Sequence, residues 1–418
     1  MNKPKYIIDT IDYFISGDWG NEEASFDAPN RVRCIRGADI NSANENNNES
    51  IPTRYISDNS KQKKLLSAGN IIVEKSGGSP TQSTGRVAYI SDSIINNEDV
   101  VCSNFCAAFK IKDVYDPKYI YYYLKYMYNL GVFFNFEGKT SGIKNLQLEQ
   151  AYNNIPIRDI DILEQQKIAS VLSALDKKIE LNNKIIKELE TMSKELYDYW
   201  FVQFDFPEAN GKPYRTSGGA MTYNTTLKRE IPLGWEVKTL SSIANITMGQ
   251  SPNGESYNET GDGAIFYQGC TDFGKIFPTV RQYTTAPSRM AMKGDILMSV
   301  RAPVGTLNFA NTDCCIGRGL CAMNSKNTTI SYLYQVVCQL ESIFNQRNSD
   351  GTTFGSITKD DLFSLPVIAT NNDLEHTFES VAGKYLSKIF AAANENQELT
   401  TLRDWLLPML MNGQIAIK

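Results

Sequence analysis

Two sets of loop residues carry the concentrated hydrogen-bonding chemistry of this chain. Lys75, Ser76, Arg86, Lys139, Thr140, Ser141, Lys144 and Asn145 lie in glycine- and serine-containing stretches of the first half. Gln268, Arg281, Arg301, Arg318, Thr352, Thr353, Ser356 and Lys359 lie in comparable stretches of the second. Arg reads a guanine edge with two parallel donors, Asn and Gln read adenine, and Lys, Ser and Thr hold phosphates. These are the donors of a nucleic-acid reader. Loops are polar in any protein, so the list by itself does not separate a reader from a solvated surface.

Catalytic chemistry is hard to assemble from the remainder. A Ser-His-Asp triad, a Cys-His dyad or a histidine zinc site would each have to use His376, the single histidine, which falls in a predicted helix. The eight cysteines form no framework: Cys102 and Cys106 are too far apart for a CxxC pair, and Cys314 and Cys315 are adjacent. Reduced, mostly buried thiols are expected. Glu137-Gly138-Lys139-Thr140 has the look of a P-loop end, but Phe133 stands where the earlier glycine is required. No Asn/Asp-Pro-Pro-Tyr/Phe run exists for amino-methylation of a base, and no glycine-rich strand-turn-helix suggests an adenosyl-cofactor pocket. The Asp360–Asp361 pair reads as charged surface. No catalytic residue, metal or cofactor is therefore expected in the chain itself.

The net charge of −5 and pI near 5.3 argue mildly against nucleic acid, although a local basic face can sit on an acidic whole. No run approaches 18 uninterrupted apolar residues, and MNKPKYIIDT lacks the apolar core of a signal peptide. No membrane association and a cytoplasmic location are the expectation.

These loops need elements to hold them. At 418 residues two or three domains are expected. Residues 1–160 read as a mixed domain. Its signals are a strand ending in a glycine turn (31–40), an Asn-rich exposed loop (41–50), a strand near 71–74 and loops at 75–86 and 137–148. A tyrosine-dense helix is expected over 119–130. From 164 to 200 runs a stretch without Gly or Pro, about 54 Å long at roughly 1.5 Å per residue. Ile168, Leu172, Leu175, Ile179, Ile186, Leu189, Leu196 and Trp200, with Asn182 and Ser193 between, step by four and three, the signature of a heptad seam. Residues 206–226 read as a Gly- and Pro-rich linker. A second mixed domain follows over 231–368, and a second helix over 373–407 closes before Pro408 and Gly413.

The two halves repeat. GNIIVEKS from Gly69 answers to GDILMSVR from Gly294, 225 residues later; GKTSGIKNLQL answers to GTTFGSITKDDL, and Ile155-Pro156 to Leu365-Pro366. At that last offset the first seam maps onto Phe378, Ala382, Tyr385, Ile389, Ala392, Asn396, Leu399, Arg403 and Leu406. The expected architecture is α+β: two mixed α/β domains joined by two long helices that form an antiparallel coiled coil, a pseudo-twofold tandem repeat. Asn182 and Asn396 are expected to fix its register.

The chain also resembles a known family over essentially its whole length, the specificity subunits of type I restriction-modification systems. The resemblance rests on ISGDWG (15–20), EQQKIASVLSALDKKIELN (164–182), NGKPYRTSGGAM (210–221), IPLGWE (231–236), MGQSP (248–252), GDILMSVRAPVG (294–305) and IGRGL (316–320), in that order and spacing. It implies a first target-recognition domain (1–160), a spacer helix (161–205), a linker (206–230), a second target-recognition domain (231–370) and a second spacer helix (371–418). It further implies recognition of a bipartite duplex-DNA target without catalysis by this chain. The implied partners are two modification subunits, which use S-adenosylmethionine to methylate adenine, and restriction subunits that use ATP and Mg. Two other readings compete: a coiled-coil adaptor binding proteins only, and a self-contained methyltransferase or nuclease. The missing catalytic motifs weigh against the second.

Overall fold

A computed structural model describes residues 4–417 apart from 48–49, 78, 80–81, 97, 141–142, 342 and 346–354. The chain divides into two compact units, Met1–Leu181 with Asn396–Lys418, and Asn182–Glu395. The division falls inside both long helices, so the helices are halves of the two cores and not separate domains as 161–205 and 371–418 had suggested.

In the first unit a four-stranded antiparallel sheet has the order Ile11–Ser16, Cys106–Ile111, Ile71–Glu74, Val87–Tyr89. Its central strand, IIVE, is buried on both faces. Because side chains alternate, Ile71 and Val73 join the core of Phe109, Tyr119 and Leu124, while Ile72 joins Ile35, Ala88 and Ala108 on the other side. The expected tyrosine-rich helix is present as Pro117–Asn129, with Asp116 accepting from Tyr119 N–H at 2.8 Å and Pro117 in the first turn. A second sheet pairs Asn30–Ile35 antiparallel with Thr53–Ile56 and parallel with Val100–Cys102.

The second unit repeats this plan. Its four-stranded sheet runs Ala244–Met248, Leu320–Ser325, Ile296–Ser299, Leu307–Phe309. Ile296 and Met298 face the core of Tyr332 and Leu333, and Leu297 faces Ala310 and Ala322. Ala264–Tyr267 pairs parallel with Cys314–Ile316, as Asn30–Ile35 does with Val100–Cys102. The repeat extends to single hydrogen bonds. Gly69 N–H donates to Ile90 O and Gly294 N–H to Ala310 O, both at 2.8 Å; Ile90 and Ala310 N–H return bonds to Asn70 O and Asp295 O, both at 2.9 Å.

The first long helix spans Ile162–Tyr197 and ends in a π turn, Asp198–Val202, that seats Trp200 and Phe201 in the second unit's core. Every seam residue named above is buried or half-buried. In the second unit Asn182 Nδ2 donates to Glu395 Oε2 at 2.7 Å, and Tyr197 lies 6.0 Å from Phe378. In the first, Arg403 Nη1 donates to Asp176 Oδ1 at 2.8 Å, and Leu172 shares a core with Leu407 and Leu410. Rising numbers on one helix meet falling numbers on the other in each unit, so the pairing is antiparallel. Arg403, a polar position on the poorer second seam, is satisfied by Asp176, which also accepts from Tyr122 Oη at 2.6 Å.

Three expectations are corrected. The second long helix runs Asn372–Met411, through Pro408, because Leu407, Leu410 and Met411 are buried and the proline falls in the last turn. Asn-rich 41–50 is not simply an exposed loop: Ile40–Asn44 is helical, Ala43 is buried, Asn44 Nδ2 donates to Val87 O and Asn46 Nδ2 to Glu180 Oε2. The stretch 206–230 is no bare linker. Phe206 stacks between Tyr214 and Trp235, and Met221–Asn224 forms a hairpin with Arg229–Pro232. Asp205 accepts from Thr216 N–H and Oγ1. Aromatic stacking outweighs a turn-rich composition there. Six of the eight thiols are buried, which pushes Cys34 up to about 12, and His376 lies on an exposed helix face. No helix among the described residues is long and apolar enough to cross a membrane.

Candidate nucleic-acid interface

In each unit the parallel strand pair ends at a point where several loops meet. Ser103 N–H donates to Ile35 O and Gly317 N–H to Tyr267 O, at 2.9 and 2.8 Å. Lys75 N–H reaches Phe105 O as Val300 N–H reaches Gly319 O. Leu146 N–H then reaches Lys75 O as Ile357 N–H reaches Val300 O. Four segments in each unit are thereby placed alike, and many of the candidate residues fall on or beside them.

The first-unit cleft measures about 1160 Å³. Stretch 137–148, expected to be a loop, is a hairpin of Glu137–Thr140 and Ile143–Leu146 that pairs onward with Ser76–Gly77. Lys144, which lines the cleft, lies 3.2 Å from Glu137. Ser76, also in the lining, donates through Oγ to Asn145 Oδ1 at 2.5 Å. Lys75 is half-buried beside them. Lys139 and Thr140 lie on the hairpin strand, their side chains outside the described set, and Ser141 lies outside the described residues. Glu137 Oε1 accepts from Thr84 N–H at 2.7 Å. Trp19, Phe105, Phe134 and Ile143 supply apolar wall suited to base faces and thymine methyl groups.

Arg86 is turned inward. Its Nε and Nη2 donate to Glu74 at 2.9 and 2.7 Å, with the carboxylate only 3% exposed. The bonds to Glu74 raise the guanidinium pKa further against burial. An arginine spent on a buried carboxylate holds the cleft floor instead of presenting a fork to DNA.

The second-unit cleft, about 610 Å³, is polar, with Gln250, Ser251, Gln268, Gln282 and Arg318 in its lining. Gln268 Nε2 donates to Ser251 Oγ at 3.0 Å, and Arg318 N–H to the same oxygen at 3.3 Å. Arg301 is exposed and bridged to Ser356, the counterpart of Ser76 paired with Asn145. Arg281 is exposed and anchored on Asp272. Lys359 sits exposed over the Phe363 ring, 5.2 Å away. Thr352 and Thr353 lie outside the described residues.

Sequence reasoning missed Arg36, Asp39, Trp19 and Phe105. Arg36 Nε and Nη2 donate to Asp39 at 2.7 and 2.8 Å, bonds that raise the arginine pKa. The signal was present as Arg-x-x-Asp in RVRCIRGADI, read there only as a turn.

A family model for the type I restriction modification DNA specificity domain matches twice, over residues 35–191 and 232–371. The chain belongs to that family. Its two matches coincide with the repeated α/β cores, and the function it carries is recognition of DNA sequence; the protein-only adaptor reading is not favoured. The putative type I restriction enzyme MjaX specificity subunit of Methanocaldococcus jannaschii is 29% identical over 318 residues, 73% of this chain and 70% of that one. The HindI specificity subunit of Haemophilus influenzae is 23% identical over 326 residues, covering 63% and 68%. The crystal structure of the type I restriction-modification S subunit from M. genitalium shares the fold, with a TM-score of 0.58 at 17% identity over 98% of this chain and 96% of that one. Assembly of this specificity chain with methyltransferase and restriction subunits and with DNA follows from the family.

Proposed function

We propose that this chain is the noncatalytic specificity subunit of a cytoplasmic type I restriction-modification complex, each unit reading one half of a bipartite duplex-DNA target. Two modification subunits carrying S-adenosylmethionine would methylate adenine at the recognised site, and restriction subunits using ATP and Mg would cleave. The observation that carries this reading is the double family match on two units whose cleft loops are held by the same backbone hydrogen bonds. Half-buried Lys75 and exposed Arg318 would hold phosphates, with part of that work left to the partners because the chain is acidic overall. Exposed apolar residues on the long helices, Ile185, Met192, Leu402 and Trp405 among them, are the proposed docking points for modification subunits.

Methylation-sensitive sequencing of host DNA with and without this chain tests the reading. Loss of a two-part methylated motif on deletion is expected. Methylation of the same motif by the partners alone would overturn it.

A further inference from the structure

In both units the strand that enters the parallel pair is followed by a short 3-10 turn, Gly37–Asp39 in one and Cys270–Asp272 in the other. Each turn ends in a carboxylate that is nearly inaccessible, with side-chain exposure of 3% for Asp39 and 9% for Asp272. Each carboxylate anchors an arginine that is itself open to solvent, Arg36 at 41% and Arg281 at 58%. The arginines arrive from different strands. Arg36 directly follows Asn30–Ile35, where the second unit has Gln268. Arg281 precedes Tyr283–Thr284, at the register position that Ile51 occupies in the first unit. Two unrelated sequence positions thus deliver the same pair, a buried aspartate and an outward guanidinium.

The geometry of the pair is directional. Arg36 gives Nε to Asp39 Oδ2 and Nη2 to Oδ1, one bond to each oxygen, whereas Arg281 gives Nε to Asp272 Oδ1 and its Nη2 is ion-paired with that same oxygen. That engages one edge of the fork and turns the terminal edge away from the carboxylate; on Arg36, Nη2 also reaches Ser50 O at 3.5 Å. Burying a carboxylate is costly unless it is paired. An anchored fork also suits a phosphate, but the place of Arg36 in a cleft walled by Trp19, Phe105 and Phe134 favours a base edge. A guanine edge needs two parallel donors at one angle to O6 and N7, and an anchored fork supplies them. Arg36 lines the first-unit cleft, whereas Arg281 is exposed beside Gln282 but is not among the residues that line the second-unit cleft. Arg86, by contrast, is 18% exposed and bound to Glu74, so its fork points into the fold.

We infer that Arg36 and Arg281, each held by the aspartate that ends its 3-10 turn, are the residues through which the two units read guanine, one in each half of the target. This rests on the DNA-reading function proposed above.

The test uses the full chain assembled with its modification subunits, and reads methylation across a library of DNA sites. The wild-type complex is expected to require one guanine in each half-site. Arg36→Ala should relax that requirement in one half by roughly five- to a hundredfold while leaving the other half unchanged. Arg281→Ala should do the same in the opposite half. Arg36→Lys keeps the charge and the ion pair with Asp39 but lacks the fork, so it should relax the same guanine. An unchanged motif in Arg36→Lys would make the residue a phosphate contact and overturn the inference, as would a wild-type half-site without guanine. Should Arg36→Ala lose both half-sites through misfolding, the Arg36→Lys outcome decides. Failure of the wild-type chain to confer any motif would instead sink the proposed function.

Discussion

The two units share a backbone frame and differ at the end of the central strand. In the first, the central strand Ile71–Glu74 ends in a carboxylate neutralised by Arg86. In the second, the matching strand Ile296–Ser299 ends in a hydroxyl that donates to Arg301 O at 2.6 Å. The frame is nonetheless equal: Glu74 N–H donates to Arg86 O and Ser299 N–H to Thr306 O, both at 2.9 Å. Main-chain bonds and two-sided burial specify the scaffold, so the side chains around the cleft are free to differ. One unit consequently has an ion-paired floor with aromatic walls, the other a smaller pocket of amides and hydroxyls.

The comparison is broken most directly at Glu74. Arg86→Met is expected to destabilise the first unit by about 3–5 kcal/mol, because it strands a buried carboxylate. Ser299→Ala should cost about 1 kcal/mol. Urea denaturation of the full chain checks both, and Arg86→Met/Glu74→Leu should recover most of the loss. Equal costs for the two single variants would show that the strand ends do not differ as described.

The shared frame is tested next at Gly85 and Gly305. Their φ values are +99° and +89°, and an added Cβ would lie 2.8 Å from Phe133 and 2.5 Å from Phe344. Gly85→Ala and Gly305→Ala should each cost about 1–3 kcal/mol by thermal or chemical unfolding. A cost at one and none at the other would remove this pair from the repeat.

The helix halves give a finer contrast. Arg403→Met removes the charged hydrogen bond to Asp176 and should cost about 1.5–3 kcal/mol. Asn182→Ala removes the bond to Glu395 and should cost about 1 kcal/mol. The reverse order of costs would move the stronger polar link to the second unit. Lys359→Ala marks the small end of the scale. It is exposed over Phe363, and a change above about 0.5 kcal/mol in denaturation would be unexpected.

Much of the fold was legible because periodicity and repetition are local properties of a chain. The 36-residue helix, its seam, the tyrosine-rich helix and the match of Gly69 to Gly294 could each be read from residue order. Stretch 206–230 was misread for the opposite reason. Its stability comes from Phe206 stacking on Tyr214 and on Trp235, and the latter pairing joins residues 29 apart, which no local window weighs (235 − 206).

The candidate site divides along the same line. Residue types and repeat-equivalent positions singled out Ser76 with Asn145, Arg301 with Ser356, Gln268 and Arg281, and the strand ends bring those pairs together. Sequence order also contained the family signature and the absence of catalytic motifs. It did not contain the direction in which an arginine points. Arg86 faces a buried glutamate twelve residues away, whereas Arg36 and Arg281 are anchored outward on aspartates three and nine residues away. Desolvation of each carboxylate decides those pairings, and desolvation depends on what the rest of the chain packs around it. Tertiary structure therefore chose which arginines remain open to solvent.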